Sequence, residues 1–494
     1  LRGLVYDSIP AEDRRKYHAL AAEWLAAASG DRRETYAPAI ALQWELAGRF
    51  AESAEWYGRA AQHARRISAP EAAIRYYSRA IDLMPSAPEF FDRRVQMYKG
   101  LWDMQWWLGR YSAALAAGQA LLAEAEERGD PAAQATAWNR IAAIQNRQGD
   151  AQAALHGVQR AERLARAAGH AHEVVLALFN RGLTLFRMGN SAAALEAGER
   201  ALAFNQALLV QGEDSENTRE AAAKESVRIL SLLGMIHQRA GRFSLADEDF
   251  RQALEICRQW DDRLGMITAF NNLGVNAHRR GDYALAAGFY REALRLAEDL
   301  EYSDLELACL NNLAGVQVEL GEYAQAETLL RRLLERTAGS DWFLLAEVYR
   351  FLAQSALGQG RYDEALQFGL TALDLANRSK SSERVGRAWR VLGQVAARGG
   401  SLPGVRPVSV DGQIRDAHSC FAASLQSFVE LGNAGEQART AREWAAYELE
   451  HGDPREGERL WQEARDLFAR LGMAVEVERM DRHPIARDMI PASD

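Results

Sequence analysis

Asparagine and arginine, rather than a nucleophile or a metal-ligand set, carry the chemistry in this sequence. Asn180, Asn272 and Asn312 each stand nine residues before a glycine, and Asn139, Asn271 and Asn311 stand one position earlier in their own segments. An amide side chain offers a donor and an acceptor together, which suits the backbone of an extended bound peptide. Asn is a mediocre helix former, so its return in mid-helix needs a reason. Two readings supply one: contact with a ligand along a groove, or caps and bridges between neighbouring helices. Leu232 and Phe351 interrupt the ladder in their segments.

Two residues before glycines of the same series stand Arg147, Arg187, Arg239, Arg279 and Arg398. Stacked along one edge they would form a positive stripe able to hold carboxylates or phosphates in bidentate pairs. The competing reading is that a cation in the last helical turn answers the helix dipole, worth about 0.3–1 kcal/mol. Trp102, Trp106 and Trp107 make the densest aromatic cluster. Trp106 and Trp107 are expected either to anchor a partner or to pack as core.

No arrangement of His, Cys or carboxylates suggests catalysis or metal binding. His170 and His172 fall in a loop, His237 and His278 fall near helix ends, and no carboxylate or Cys spacing accompanies any of them. Glu and Asp are scattered in the manner of solvated helix faces. No phosphate-binding G-x-x-x-x-G-K-[ST] loop is present. No cofactor, metal or enzymatic activity is expected within these residues.

The elements that would position the Asn and Arg residues follow from a repeat. Gly109, Gly149, Gly189, Gly241, Gly281, Gly321, Gly360, Gly400 and Gly452 recur with gaps of mostly 39 or 40 residues. In the segment around Thr268–Leu300, Leu273-Gly274 lies on one helix, Gly281-Asp282-Tyr283 turns the chain, and Ala286, Tyr290 and Ala293 recur at helical spacing on the next. A fixed period of this size marks a solenoid of helix pairs, each burying its apolar face on its neighbours. Trp102 stands where Gly274 and Gly393 allow close approach, so packing there should depart from the regular unit. Two gaps of 52 residues each hold 12 surplus residues, near Gln211–Thr218 and at Ser401–Gly412, expected to be surface insertions. With few Pro and no evenly spaced Val/Ile/Thr runs, the expected fold is all-α, a right-handed α-α superhelix.

Composition sets outer limits. The chain has 494 residues and a net charge of −9, without the basic footprint that nucleic-acid binding rests on. No apolar run approaches the ~20 residues that span a bilayer. Three isolated cysteines, Cys257, Cys309 and Cys420, form neither a disulfide framework nor a ligand set, which fits a reducing cytoplasm. The cation for any anion site is Arg, because only Lys16, Lys99, Lys224 and Lys380 stand among the 59 basic residues.

The Leu-Gly, turn Gly, Ala-Tyr-Ala pattern resembles the tetratricopeptide repeat over roughly 51–471, with units longer than its common form. Units of this length resemble those of spindle-orientation adaptors and of the sensor domains of STAND regulatory ATPases, the maltose-regulon activators among them. A second resemblance lies at the start: Leu1-Arg2, Tyr6, the Arg14–His18 helix and Leu42–Gly48 followed by Ala54, Tyr57 and Ala60-Ala61 look like the junction between such an ATPase and its repeats. It implies a junction at 1–50, a capping segment and tail at 472–494, and an ATPase or fused cyclase domain upstream of Leu1. The family resemblance implies a scaffold or sensor that holds an extended peptide or protein segment, acidic if the Arg stripe takes part. Its first helices would line the concave face with Asn139, Asn180, Asn271, Asn272, Asn311, Asn312, Arg147, Arg187, Arg239, Arg279, Trp106 and Trp107. The alternative is a sensor of a small molecule, a sugar or a nucleotide, seated among the tryptophans.

Overall fold

The computed structural model describes residues 6, 8–211, 216–300, 303–337, 344–379, 381–399 and 407–484. The chain forms two compact units, Leu1–Gly212 and Glu213–Asp494. The first contains helices α1 (Ala11–Ala28), α2 (Arg33–Leu46), α3 (Phe50–Arg66), α4 (Pro70–Leu83), α5 (Phe91–Trp107), α6 (Tyr111–Glu127), α7 (Pro131–Gln148), α8 (Ala151–Ala167), α9 (Ala171–Arg187) and α10 (Ser191–Gln211). The second contains α11 (Glu216–Arg239), α12 (Phe243–Gln259), α13 (Arg263–Arg280), α14 (Tyr283–Asp299), α15 (Ser303–Glu319), α16 (Tyr323–Arg336), α17 (Leu345–Gly358), α18 (Tyr362–Arg378), α19 (Ser382–Gly399), α20 (Ala417–Glu430), α21 (Ala434–His451), α22 (Pro454–Arg470) and α23 (Ala474–Asp481).

Within each unit every helix packs on the one that follows, as a sequence of helix hairpins requires. The reason is local. Gly149 and Gly281 close their helices with φ of +87° and +91°, in the left-handed region where a side chain would be strained. Asp150 and Asp282 then start the next helices by accepting from the backbone N–H of Ala153 and Leu285. Gly274 lies so close to Tyr290 that an added Cβ would sit 2.6 Å from the ring. Gly234 against Phe250 and Gly393 against Phe421 repeat the contact. At the odd unit, Trp102 fills that position, and the close approach moves to Gly100, whose Cβ would sit 2.3 Å from Tyr77.

The first helices of successive pairs also touch one another: α7 meets α9 in the first unit, and α11, α13, α15, α17, α19 and α21 form a continuous series in the second. They make the inner wall of each array. In the second unit the chain also returns on itself. Helix α23 packs on α13, and Phe243 at the start of α12 shares a core with Trp444, Trp461, Met473 and Met480.

Strands were not expected, yet Val408–Val410 (β1) pairs antiparallel with Gln413–Arg415 (β2), placing Val408 opposite Arg415. Asp411 and Gly412 turn the hairpin with φ of +52° and +76°, the two positive angles of a type I′ turn. The Asp-Gly pair between Val-Ser-Val and Gln-Ile-Arg carries that signal in the sequence. Buried Val408 ties the hairpin to the core formed by Leu392, Val395 and Cys420. The remainder of this insertion, 401–406, lies outside the described residues, as do 212–215 of the first insertion, Leu1 and Arg2 of the junction, and 485–494 of the tail.

Candidate partner-binding faces on the inner helices

In the first unit an aromatic and cationic strip runs from α5 and the start of α6 to α7 and α9. Trp102 and Trp106, one helical turn apart on α5, stack with centroids 5.0 Å apart, and Trp106 meets Tyr111 edge-on at 5.5 Å. The Arg140 guanidinium lies 5.6 Å from the Trp102 ring and that of Arg147 lies 5.4 Å from Tyr111, both within cation–π range. Exposed Arg187 follows on α9 and donates to the carbonyl of Asn146. Burial, with Arg147 beside it, pushes the Arg187 pKa below its ordinary value. The arginine pair and the tryptophan cluster, separate features in the sequence, therefore form one surface. Trp106 is half-buried, whereas Trp107 is 41% exposed.

Asn139 and Asn180 lie deeper. The Asn139 amide donates to the backbone carbonyl of Glu173 at 3.0 Å and to its carboxylate at 2.7 Å, and Asn180 donates to the Asn139 carbonyl at 3.3 Å. Both bridge α7 and α9, and both are buried. The Asn139 amide oxygen has no hydrogen-bond partner. Glu173, fully buried, also accepts from Thr136 at 2.7 Å and has Arg140 at 3.9 Å. Burial alone would raise its pKa, but Arg140 and the hydrogen bonds from Asn139 and Thr136 outweigh this and hold the carboxyl below its usual range. Lys99, half-buried beside the same cluster, is pushed down by burial and by Arg140.

In the second unit Asn312 donates to the Asn271 side-chain oxygen at 2.8 Å, a rung between α15 and α13. Asn271, Asn272 and Asn312 are half-buried, while Asn311 is 5% exposed and its amide oxygen has no partner. Arg239 and Arg279 are exposed. Across from Arg279 the series of first helices carries a network of ion pairs. Arg350 contacts Glu347 at 2.8 Å, Arg387 contacts Glu383 at 2.6 Å and both Glu347 and Glu436 at 3.3 Å, and Arg390 contacts Glu436 at 2.7 Å. Arg279 keeps solvent exposure but is surrounded by the helices of this series, and that desolvation, then Arg387 with further charges, lowers its pKa. Burial and the facing Arg439, Arg350 and Arg387 push His278 down to about 3, so its imidazole is neutral at physiological pH.

The acidic residues correct an expectation. They do not all lie on solvated faces: Glu173, Glu347, Glu436 and Glu476 are between 0 and 7% exposed. Each stands in the first turn of an inner helix or of α23, where a Glu ordinarily answers the helix dipole at the surface. That shared position is the signal in the sequence, but it does not separate a solvated carboxylate from a buried one. Among the described residues no group of His, Cys, Asp and Glu is placed to hold a metal, and no helix is long and apolar enough to cross a membrane. The three cysteines are free and buried.

The tetratricopeptide repeat pattern matches residues 133–207, 225–299 and 305–378. No curated protein matches the chain. Among solved structures, a Rap protein complexed with competence and sporulation factor is similar at 14% identity, covering 78% of this chain and 99% of that one, with a TM-score of 0.54. The apo quorum sensor NprR from B. thuringiensis follows at 15% identity over 74% and 100% of the two chains, with a TM-score of 0.47. A signal transduction ATPase with numerous domains and a tetratricopeptide repeat sensor, from Pyrococcus horikoshii, has 12% identity over 70% of this chain and 57% of that one, with a TM-score of 0.48. At such identities the likeness is one of fold.

Proposed function

Because three stretches of the chain match the tetratricopeptide repeat, we propose that it is a binding module, not an enzyme, and that its inner helices hold a peptide or an extended segment of a partner protein. The observation that carries this reading is the pair Arg147 and Arg187. They stand together on the inner wall of the first unit, exposed, with no ion pair to a carboxylate among the described residues, and the half-buried Trp106 and Tyr111 lie alongside. Such a strip suits an acidic segment with an apolar or aromatic anchor, since the cations select charge and the rings supply contact area. Tyr111 and Trp106 already accept cation and edge contacts of this kind within the chain.

Asn139 and Asn180 contribute by fixing the spacing of α7 and α9, on which the arginines ride. In the second unit Asn271, Asn272, Asn311, Asn312, Arg239 and Arg279 form the corresponding wall. The Rap protein of similar fold is complexed with competence and sporulation factor, which supports a ligand-holding role for such an array. The wider setting, a sensor or scaffold module of a cytoplasmic signalling ATPase, rests on the junction-like residues around Tyr6, Tyr17 and Trp44.

The test is fluorescence anisotropy with labelled peptides of matched length, acidic and basic, against the wild type and the double variant Arg147→Glu/Arg187→Glu. Acidic peptides should bind the wild type and weaken with salt, and the variant should lose them. Equal binding of acidic peptides by both proteins would remove the first-unit face from the proposal.

A further inference from the structure

Where the second unit ends, α19, α20, α21, α22 and α23 border a half-open cavity of about 330 Å³, a size that accepts a small ligand. Its walls combine rings and charges. Tyr447 lies 6.0 Å from His451 and Trp461 lies 5.4 Å from His483, so two ring pairs border the space. Arg398, Arg442 and Arg479 supply the cations.

The charges on the wall are not equivalent. Arg442 contacts Glu443 at 3.0 Å and Glu476 at 2.7 Å, Arg479 contacts Glu476 at 3.5 Å, and Glu450 has His451 at 3.8 Å. Arg398, exposed at the end of α19, has no ion pair among the described residues. Arg398 is therefore the wall guanidinium with no carboxylate on it among the described residues, beside a space lined with rings, and Glu450 on the same wall has only the His451 ring. From this arrangement we propose that the cavity binds a small ring-bearing anion, its ring between Tyr447, His451 and Trp461 and its carboxylate or phosphate on Arg398. All of these wall residues belong to the second unit.

The position of the site also gives it a consequence. Arg479 and Arg442 face the cavity and also hold Glu476, the residue through which α23 is pinned to Tyr283. A ligand that binds this wall only when it is folded stabilises the second unit by mass action.

Calorimetric titration of the full chain with phenyl phosphate tests the site, with inorganic phosphate and phenol as its separate halves. Saturable binding is expected for phenyl phosphate, with each half at least about tenfold weaker. Arg398→Gln, at an exposed position, should weaken phenyl phosphate about tenfold with unchanged circular dichroism, and His451→Ala should weaken it too. Bound phenyl phosphate should raise the thermal midpoint of the wild type and not of Arg398→Gln. Absence of saturable binding, or equal affinity in wild type and Arg398→Gln, overturns the proposal. Acidic-peptide binding at Arg147 and Arg187 should be the same in both proteins, so either idea can fail alone.

Discussion

The hydroxyl of Tyr283 donates to a carboxylate oxygen of Glu476 at 2.5 Å, across 193 residues of chain. Tyr283 opens α14, directly after the turn at Gly281, and Glu476 sits in the first turn of α23. Around the bond, Arg442 lies 2.7 Å from the same carboxylate, and the Arg479 guanidinium lies 4.6 Å from the Tyr283 ring. The turn itself leaves room: a Cβ on Gly281 would come within 3.1 Å of the Glu476 side chain. The second unit is thus closed by one buried carboxylate held from two ends of the array.

Removing that carboxylate should be costly. Glu476→Ala leaves Arg442 with Glu443 alone and the Tyr283 hydroxyl without its acceptor, and should destabilise the second unit by roughly the lower end of 3–5 kcal/mol, whereas Tyr283→Phe removes one hydrogen bond to a charged group and should cost about 1.5–3 kcal/mol. Urea denaturation followed by circular dichroism measures both. Values within error of wild type for Glu476→Ala would mean that the closure contributes nothing to stability.

Acid should weaken the second unit through two kinds of group. Burial opposes ionisation of Glu476 and Glu347, but the arginines around them prevail, lowering Glu476 and bringing Glu347 to about 2. Their folded-state values lie below the unfolded ones, so the stability they contribute is complete above the ordinary carboxyl range and is lost as pH falls through the folded values. His278 works by the opposite charge change with the same sign: its folded value of about 3 lies below the ordinary 6.5. Between those two values the unfolded chain binds the proton and the folded chain does not, so stability falls as pH drops through this window. His278→Gln should flatten the stability curve there while leaving the carboxylate-dependent loss below it. A proton-coupled shift of the His278 ring near neutral pH, seen by NMR, would contradict this assignment.

Gly274 should tolerate no side chain. Gly274→Ala places a methyl 2.6 Å from the Tyr290 ring, which is 1% exposed and has little room to move. The expected loss is about 1–3 kcal/mol from overpacking. Thermal unfolding of this variant, with Gly288→Ala as a control where nothing lies within 4 Å, separates crowding from the gain in helix propensity.

In the first unit Glu173 is the residue whose loss should spread furthest. Glu173→Ala leaves Thr136 without its acceptor, reduces Asn139 to the backbone carbonyl of residue 173 and strips the nearest carboxylate from Arg140, at a cost of about 3–5 kcal/mol. Because Arg147 and Arg187 ride on the helices that this cluster joins, acidic-peptide affinity should fall along with stability. Hydrogen exchange of α7 and α9 reads the structural part; unchanged protection there would show that the cluster does not hold the two helices together.

Much of the array is legible in the chain because its determinants are local. A glycine every 39 or 40 residues, an Asp that caps the next helix, and a small residue opposite a ring are each decided within a few turns of helix, so Gly149, Asp150, Gly274 and Tyr290 announce their roles. The hairpin at Val408–Arg415 was equally local, signalled by Asp411-Gly412. The candidate faces were legible only as positions. Arg147 and Trp106 lie 41 residues apart and become neighbours through Tyr111 because α5, α6 and α7 stack.

What the residue order could not decide was burial. Glu173, Glu347, Glu436 and Glu476 stand where a solvated carboxylate would stand, at the start of a helix, and their chemistry changes only because arginines from other helices meet them away from water. Helical periodicity fixes which residues share a face, since that follows from 3.6 residues per turn. Which face meets which, and so which charge loses its water, depends on small rotations summed over successive helix pairs. No single segment records that sum, and the tertiary structure alone brought Tyr283 to Glu476.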